Sequence, residues 1–411
     1  MSTFQDKLKK YAELIVKVGV NIQQNQKLMI NSTIESAELT RLIVKRAYEV
    51  GAGEVIVNWS DDQITRYTYE LAPDDYFKTF PKWRKEMMET YAEEGAALIS
   101  VVSSSPALLK GVDAQRISDN RKASGEALAK FRSYIQSDKI SWCVVSAPSK
   151  DWATMVFPNE ESEEVAVEKL WDAIFKAVRA DLDNPVKAWE DHDKKLHEKV
   201  DYLNEKRYKK LHYRAPGTDL TIELPDGHLW VGAGSTNAEN VQFMANMPTE
   251  EVFTVPYKKG VNGTVRSTKP LSYGGNVIDN FTITFKDGRI TEYQAEQSEE
   301  ILKGLIETDE GSHYLGEIAL VPHDSPISNS NILFFNTLFD ENASNHLAIG
   351  NAYAFCIEGG KEMDEIELEA NGLNKSIVHE DFMIGSAEMD IDGIKEDGTT
   401  EPIFRSGNWA F

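Results

Sequence analysis

Lys27-Leu-Met-Ile-Asn-Ser-Thr-Ile-Glu-Ser-Ala-Glu-Leu-Thr-Arg-Leu-Ile-Val-Lys-Arg-Ala-Tyr-Glu-Val-Gly-Ala-Gly-Glu-Val-Ile-Val-Asn-Trp59 decides the layout of the first half of the chain. Lys27–Asn31 and Glu54–Trp59 are short apolar runs of strand length. Between them Glu35 to Val50 reads as a helix, closed by the glycines of Gly51-Ala-Gly53. Two strands joined by a helix of that length predict parallel pairing through a crossover.

Working outward, Phe4, Leu8, Tyr11, Ile15 and Val18 recur at helical spacing and predict an amphipathic opening helix. A further helix is predicted from about Asp74 to Glu94. Strands follow at Ala97-Leu-Ile-Ser-Val-Val102 and Trp142-Cys-Val-Val-Ser146. The alternation specifies an α/β N-terminal domain with a Rossmann-like parallel sheet. That layout invites a nucleotide, but the turns argue against one. Val50-Gly-Ala-Gly-Glu54 follows a helix and precedes a strand, the reverse of a dinucleotide-binding turn. Gly232-Ala-Gly-Ser-Thr236 opens no clear helix, and the chain has no Walker sequence.

From Glu160 to about Tyr213 the sequence is charged and helical, with Val165, Leu170, Ile174 and Val178 as its apolar stripe. His192 and His197 read as solvated surface here, and the domain connection falls near residues 190–210. Beyond it the period shifts to strands: Leu220–Leu224 alternates, and residues 277–296 form a hairpin around Lys286-Asp-Gly288. A helix is expected near Ser298–Thr308. The reading is two domains, residues 1–200 as α/β and residues 201–411 as α+β rich in antiparallel strands.

A net charge of −23 argues against nucleic acid or an anionic membrane as partner, since both would repel the chain. Two cysteines, Cys143 and Cys356, lie far apart in apolar surroundings and read as free buried thiols of a reducing compartment. With no apolar leader and no run of membrane-spanning length, a soluble cytoplasmic protein is expected.

The chemistry-bearing residues gather in the second half. Leu338-Phe-Asp-Glu-Asn-Ala-Ser-Asn-His-Leu-Ala-Ile-Gly-Asn-Ala-Tyr353 has no charge after Glu341. Read as a helix capped by Asp340, it sets His346 and Tyr353 on one face, about two turns apart. Taken alone, this fits a core histidine as well as a ligand. Glu250 and Glu251 follow Pro248 and precede a β-favouring run, and Glu317 opens an apolar strand, an unusual place for a carboxylate without a partner. His379 and Asp381 sit at spacing two, the same face of a strand. Carboxylates with imidazoles suit Zn²⁺, Co²⁺ or Mn²⁺.

Pro248-Thr-Glu-Glu-Val-Phe253, Leu315-Gly-Glu317, Phe339-Asp-Glu-Asn-Ala-Ser-Asn-His-Leu-Ala348 and His379-Glu-Asp-Phe-Met-Ile-Gly385 together resemble the M29 family of metallo-aminopeptidases, nearly end to end. Asn345, just before the histidine, departs from the family pattern. The resemblance implies a catalytic second domain and two divalent metal ions. Its ligands would be Glu250, Glu317 (shared by both ions), His346, His379 and Asp381, with Tyr353 as a further ligand or an oxyanion donor. Glu251 would be a general base or the anchor for the substrate ammonium. Peptides with a free N-terminus would be the substrates, and a homodimer the assembly. A hydrolase of another amide, or a non-catalytic peptide-binding protein on the same fold, remain alternatives.

Overall fold

The computed structural model describes residues 3–274 and 276–411. They form two compact units, Met1–Asp191 with Gly234–Pro248, and His192–Ala233 with Thr249–Phe411.

The first unit is organised on four parallel strands, β1 (Lys27–Thr33), β2 (Glu54–Ser60), β3 (Ala97–Val102) and β4 (Trp142–Ser146). Their order is β2-β1-β3-β4, so β1 is paired on both sides and Ile30 lies between Val57 and Ile99. Leu28, Met29 and Ile30 are buried, as an all-parallel sheet requires of a central strand. Helix α1 (Phe4–Leu14) starts in a capping box between Thr3 and Asp6 and continues as a π turn over Ile15–Gly19. Helix α2 (Ala37–Val50) makes the crossover from β1 to β2. It ends where Gly51 turns left-handed, at φ 113°, a conformation that suits glycine. The single helix expected from Asp74 to Glu94 is two pieces, a 3₁₀ turn at Asp74–Lys78 and a helix at Lys82–Glu93. Pro81 stands between them as the N-cap, because its ring would clash inside a continuous helix. Cys143 and Cys356 are both buried and free.

Helix α3 (Pro185–Lys206) carries the chain from the first unit into the second. The second unit holds two antiparallel sheets. The larger includes the expected hairpin, Asn276–Lys286 against Arg289–Gln297, beside the helix Glu299–Ile306. The smaller consists of β5 (Val231–Gly232), β6 (Val252–Thr254), β7 (Leu315–Leu320), β8 (His346–Gly350) and β9 (His379–Met383), in the order β9-β8-β7-β6-β5. Among the described residues, no helix is long and apolar enough to cross a membrane.

The segment Leu338–Tyr353 is not one helix. A one-turn helix α4 (Thr337–Asp340) and a 3₁₀ turn at Glu341–Ala343 lead into strand β8. Asp340 does not cap the helix. That role falls to Asn336, which accepts from Leu338 N–H, while the Asp340 carboxylate accepts from the Phe334 and Asn336 amides. His346-Leu-Ala-Ile-Gly350 is buried at every position, and so short an apolar run suits helix or strand equally until its neighbours are known. Pairing with β7 on one side and β9 on the other settles it as a strand.

Candidate metal centre

Strand pairing assembles the centre. Glu317 of β7 is paired with Ala348 of β8, and Ala348 with Asp381 of β9, so the two carboxylates flank a methyl group on one face. His346, two residues before Ala348, and His379, two before Asp381, lie on the same face by the period of a strand. Glu251 enters at the start of β6, next to β7.

Each imidazole is gripped from behind. His346 Nδ1 is 3.1 Å from the Ser344 carbonyl and His379 Nδ1 is 2.7 Å from the Asn351 carbonyl, so both Nδ1 atoms donate. Gly316 makes room for that second carbonyl, because a Cβ there would lie 2.2 Å from Asn351 O. The Nε2 atoms are left facing acids. His346 Nε2 is 3.2 Å from Glu251 Oε2 and 3.7 Å from Glu317 Oε1. His379 Nε2 is 3.3 Å from Glu317 Oε2 and 3.6 Å from Asp381 Oδ1. Glu317 thus turns one oxygen to each ring. Two donor groups result, Glu251–Glu317–His346 and Glu317–His379–Asp381, with Glu317 common to both.

The electrostatics fit a cation. A neutral imidazole that donates through Nδ1 aims a lone pair from Nε2, and a lone pair facing a carboxylate repels it unless a proton or a metal ion lies between. Without an ion, the pairs hold protons. Burial disfavours the imidazolium of His346, but Glu251 and Glu317 outweigh it and raise its pKa well above the ordinary value. His379 is likewise raised, to about 10, against its burial, by Asp381 and Glu317. Burial also opposes the Glu317 anion, yet the two imidazoles hold that carboxyl well below its usual range. Glu251 and Asp381 go the other way, raised chiefly by burial. Asp381 Oδ1 is a buried acceptor with no hydrogen-bond partner among the described residues, as expected of an atom reserved for a metal ion. The residues present therefore fit divalent cations.

Of the other expected site residues, Tyr353 follows β8 and packs its ring 4.7 Å from that of His379, stacked on Phe355. Its hydroxyl is kept protonated by burial and by the negative charge of Glu317 and Asp381. Glu250 belongs to neither donor group. Its carboxylate lies 3.5 Å from His192 Nε2. His192, expected on a solvated surface, is largely buried, with Nε2 2.8 Å from the Thr249 carbonyl. His197 does remain half exposed, beside Asp193 on α3. Asn345 holds structure, its Oδ1 accepting from the Val321 amide at 2.7 Å. Glu341 is the acid that sequence reasoning passed over. Burial and the neighbouring charges of Glu251 and Asp381 raise its pKa well above the ordinary value. Its only signal in the sequence was being the last charge before His346.

Known proteins resemble this chain over its whole length. A family model described as thermophilic metalloprotease (M29) matches residues 4–409. Aminopeptidase AmpS of Bacillus subtilis is 62% identical over 411 residues, covering 100% of both chains. Aminopeptidase T of Thermus thermophilus is 41% identical over 410 residues, again covering 100% of both. The solved structure of wild-type AmpT from Thermus thermophilus superposes with a TM-score of 0.94 at 40% identity, covering 100% of both chains. With the match spanning the chain and the carboxylate–imidazole centre in place, this protein belongs to the M29 peptidase family and is a peptidase enzyme.

Proposed function

We propose that the enzyme is an aminopeptidase, releasing N-terminal residues from peptides at a centre of two divalent cations (Zn²⁺, Co²⁺ or Mn²⁺) that share Glu317. The observation that supports this most is the divided carboxylate of Glu317, one oxygen toward each imidazole. Glu251 and His346 would hold one ion, and His379 and Asp381 the other. In this reading Glu251 takes the place that family resemblance suggested for Glu250. When bound, the ions would polarise the scissile carbonyl and acidify a water.

The chain's own groups do the rest. Tyr353 presents a protonated phenol beside His379, suited to donating to the oxyanion of the tetrahedral intermediate. Glu341, outside both donor groups, is the acid–base residue that passes a proton from water to the leaving amine. Acidic groups outnumber the imidazoles, so a substrate's terminal ammonium is drawn to the site, where burying it without such charge would cost several kcal/mol. The same reading includes a homodimer in the cytoplasm.

The test is a matched pair of peptides incubated with metal-loaded protein and followed by mass spectrometry. The free-amine peptide should shorten one residue at a time while its N-acetylated twin persists. Internal cuts, or equal rates on both peptides, would refute the aminopeptidase reading.

A further inference from the structure

Glu250 and Glu251 are neighbours whose carboxylates meet different partners, His192 and His346, and the backbone decides which acid faces His346. The backbone here is held from both sides. Asn342, fully buried, accepts the Glu250 N–H at Oδ1 across 2.7 Å. Its Nδ2 donates to the Leu338 carbonyl at 2.9 Å, which anchors the amide to α4. Opposite it, His192 on α3 meets the Thr249 carbonyl at 2.8 Å and the Glu250 carboxylate at 3.5 Å. The peptide between Thr249 and Glu250 therefore has its carbonyl fixed by α3 and its amide fixed by Asn342. A rotation of that peptide would break both bonds and release the backbone that presents Glu251 to His346.

We infer that Asn342 is a positioning residue for metal binding: it sets the Thr249–Glu250 peptide so that Glu251, and not Glu250, completes the donor group with Glu317 and His346. This rests on the two-ion reading above. The second donor group, Glu317 with His379 and Asp381, contains neither Glu251 nor any residue that Asn342 bonds. Loss of Asn342 should thus weaken one ion and spare the other, a selectivity that a merely structural role would not produce.

The experiment is calorimetric titration of metal-free protein with Zn²⁺, on wild type, Asn342→Ala and Asn342→Asp, with folding checked by circular dichroism. Wild type should take two equivalents. In Asn342→Ala one equivalent should weaken by about 10–100-fold, the range found when an outer partner of a ligand is lost, while the other stays near the wild-type value. Asn342→Asp keeps an oxygen for the Glu250 amide but gives up the donor to Leu338, so it should weaken the same single equivalent by less than Asn342→Ala does and spare the other, which carries the test if Asn342→Ala does not fold. Unchanged binding in Asn342→Ala, equal weakening of both equivalents in either variant, or a larger loss in Asn342→Asp than in Asn342→Ala would overturn the inference. Wild type that takes up no Zn²⁺ would overturn the two-ion reading itself, and this inference with it.

Discussion

β1 of the first unit and β8 of the second are both central, short and buried, each paired on both sides. β1 carries Leu28, Met29 and Ile30 into an apolar core and needs nothing beyond packing. β8 instead places His346 on a face shared with the carboxylates of Glu317 and Asp381, where polar atoms must be matched or charged. A buried apolar strand is stable whatever surrounds the protein. A buried imidazole among acids depends on protons or cations from outside, because the acids outnumber the rings and their charges are largely withdrawn from water. The contrast separates the part of the molecule that only has to fold from the part that also has to bind.

Removing metal should show the contrast at its largest. Exhaustive chelation should abolish peptide hydrolysis, and Zn²⁺, Co²⁺ or Mn²⁺ should restore it. Amide exchange followed by mass spectrometry should quicken in β7, β8 and β9 of the metal-free protein but not in β1. Full activity with metal shown to be absent, or equal quickening in both sheets, would break the comparison.

A graded series of acids sharpens it. Glu317→Gln should reduce kcat/KM the most, by more than the roughly 100-fold upper range for partners outside the ligand set. Glu251→Gln should follow, and Glu250→Gln should cost least, about 10-fold at most, because its carboxylate faces His192. Steady-state kinetics on variants with wild-type circular dichroism would decide the order. An effect of Glu250→Gln exceeding that of Glu251→Gln would reverse the assignment of the two neighbours.

The smallest effect on activity is expected in the first unit. Ile30→Ala should destabilise by about 2–5 kcal/mol through the cavity it leaves in the sheet. The number of Zn²⁺ equivalents should not change, since every residue of the two donor groups belongs to the second unit and Ile30 to the first. Urea denaturation paired with metal analysis reads both quantities. A lost equivalent in Ile30→Ala would mean that the two regions are coupled.

Much of the fold was legible because its signals are local. Apolar runs such as Ala97–Val102 and Trp142–Ser146 coincide with β3 and β4, and Asp287-Gly288 marks the turn of the long hairpin. The spacing of His379 and Asp381 placed both on one face of a strand, as observed in β9. Pro81 broke the helix expected from Asp74 to Glu94 by a local clash, but two other misreadings share a long-range cause. For Leu338–Tyr353 and for His192, the deciding partner lies far along the chain, where periodicity carries no information.

The amino-acid sequence by itself determined the parallel layout of the first unit, the antiparallel character of the second, the supply of carboxylates and imidazoles, and the family. Composition, spacing and motif identity are properties of the chain alone. Only the tertiary structure decided that His346 lies on a strand, that Glu251 rather than Glu250 meets it, and that Glu341 feels the charges of Glu251 and Asp381. The direction of a side chain is set by backbone hydrogen bonds, and the one holding Glu250 comes from Asn342, 92 residues further on. A choice between adjacent residues that depends on so distant a partner exists only once the chain has folded.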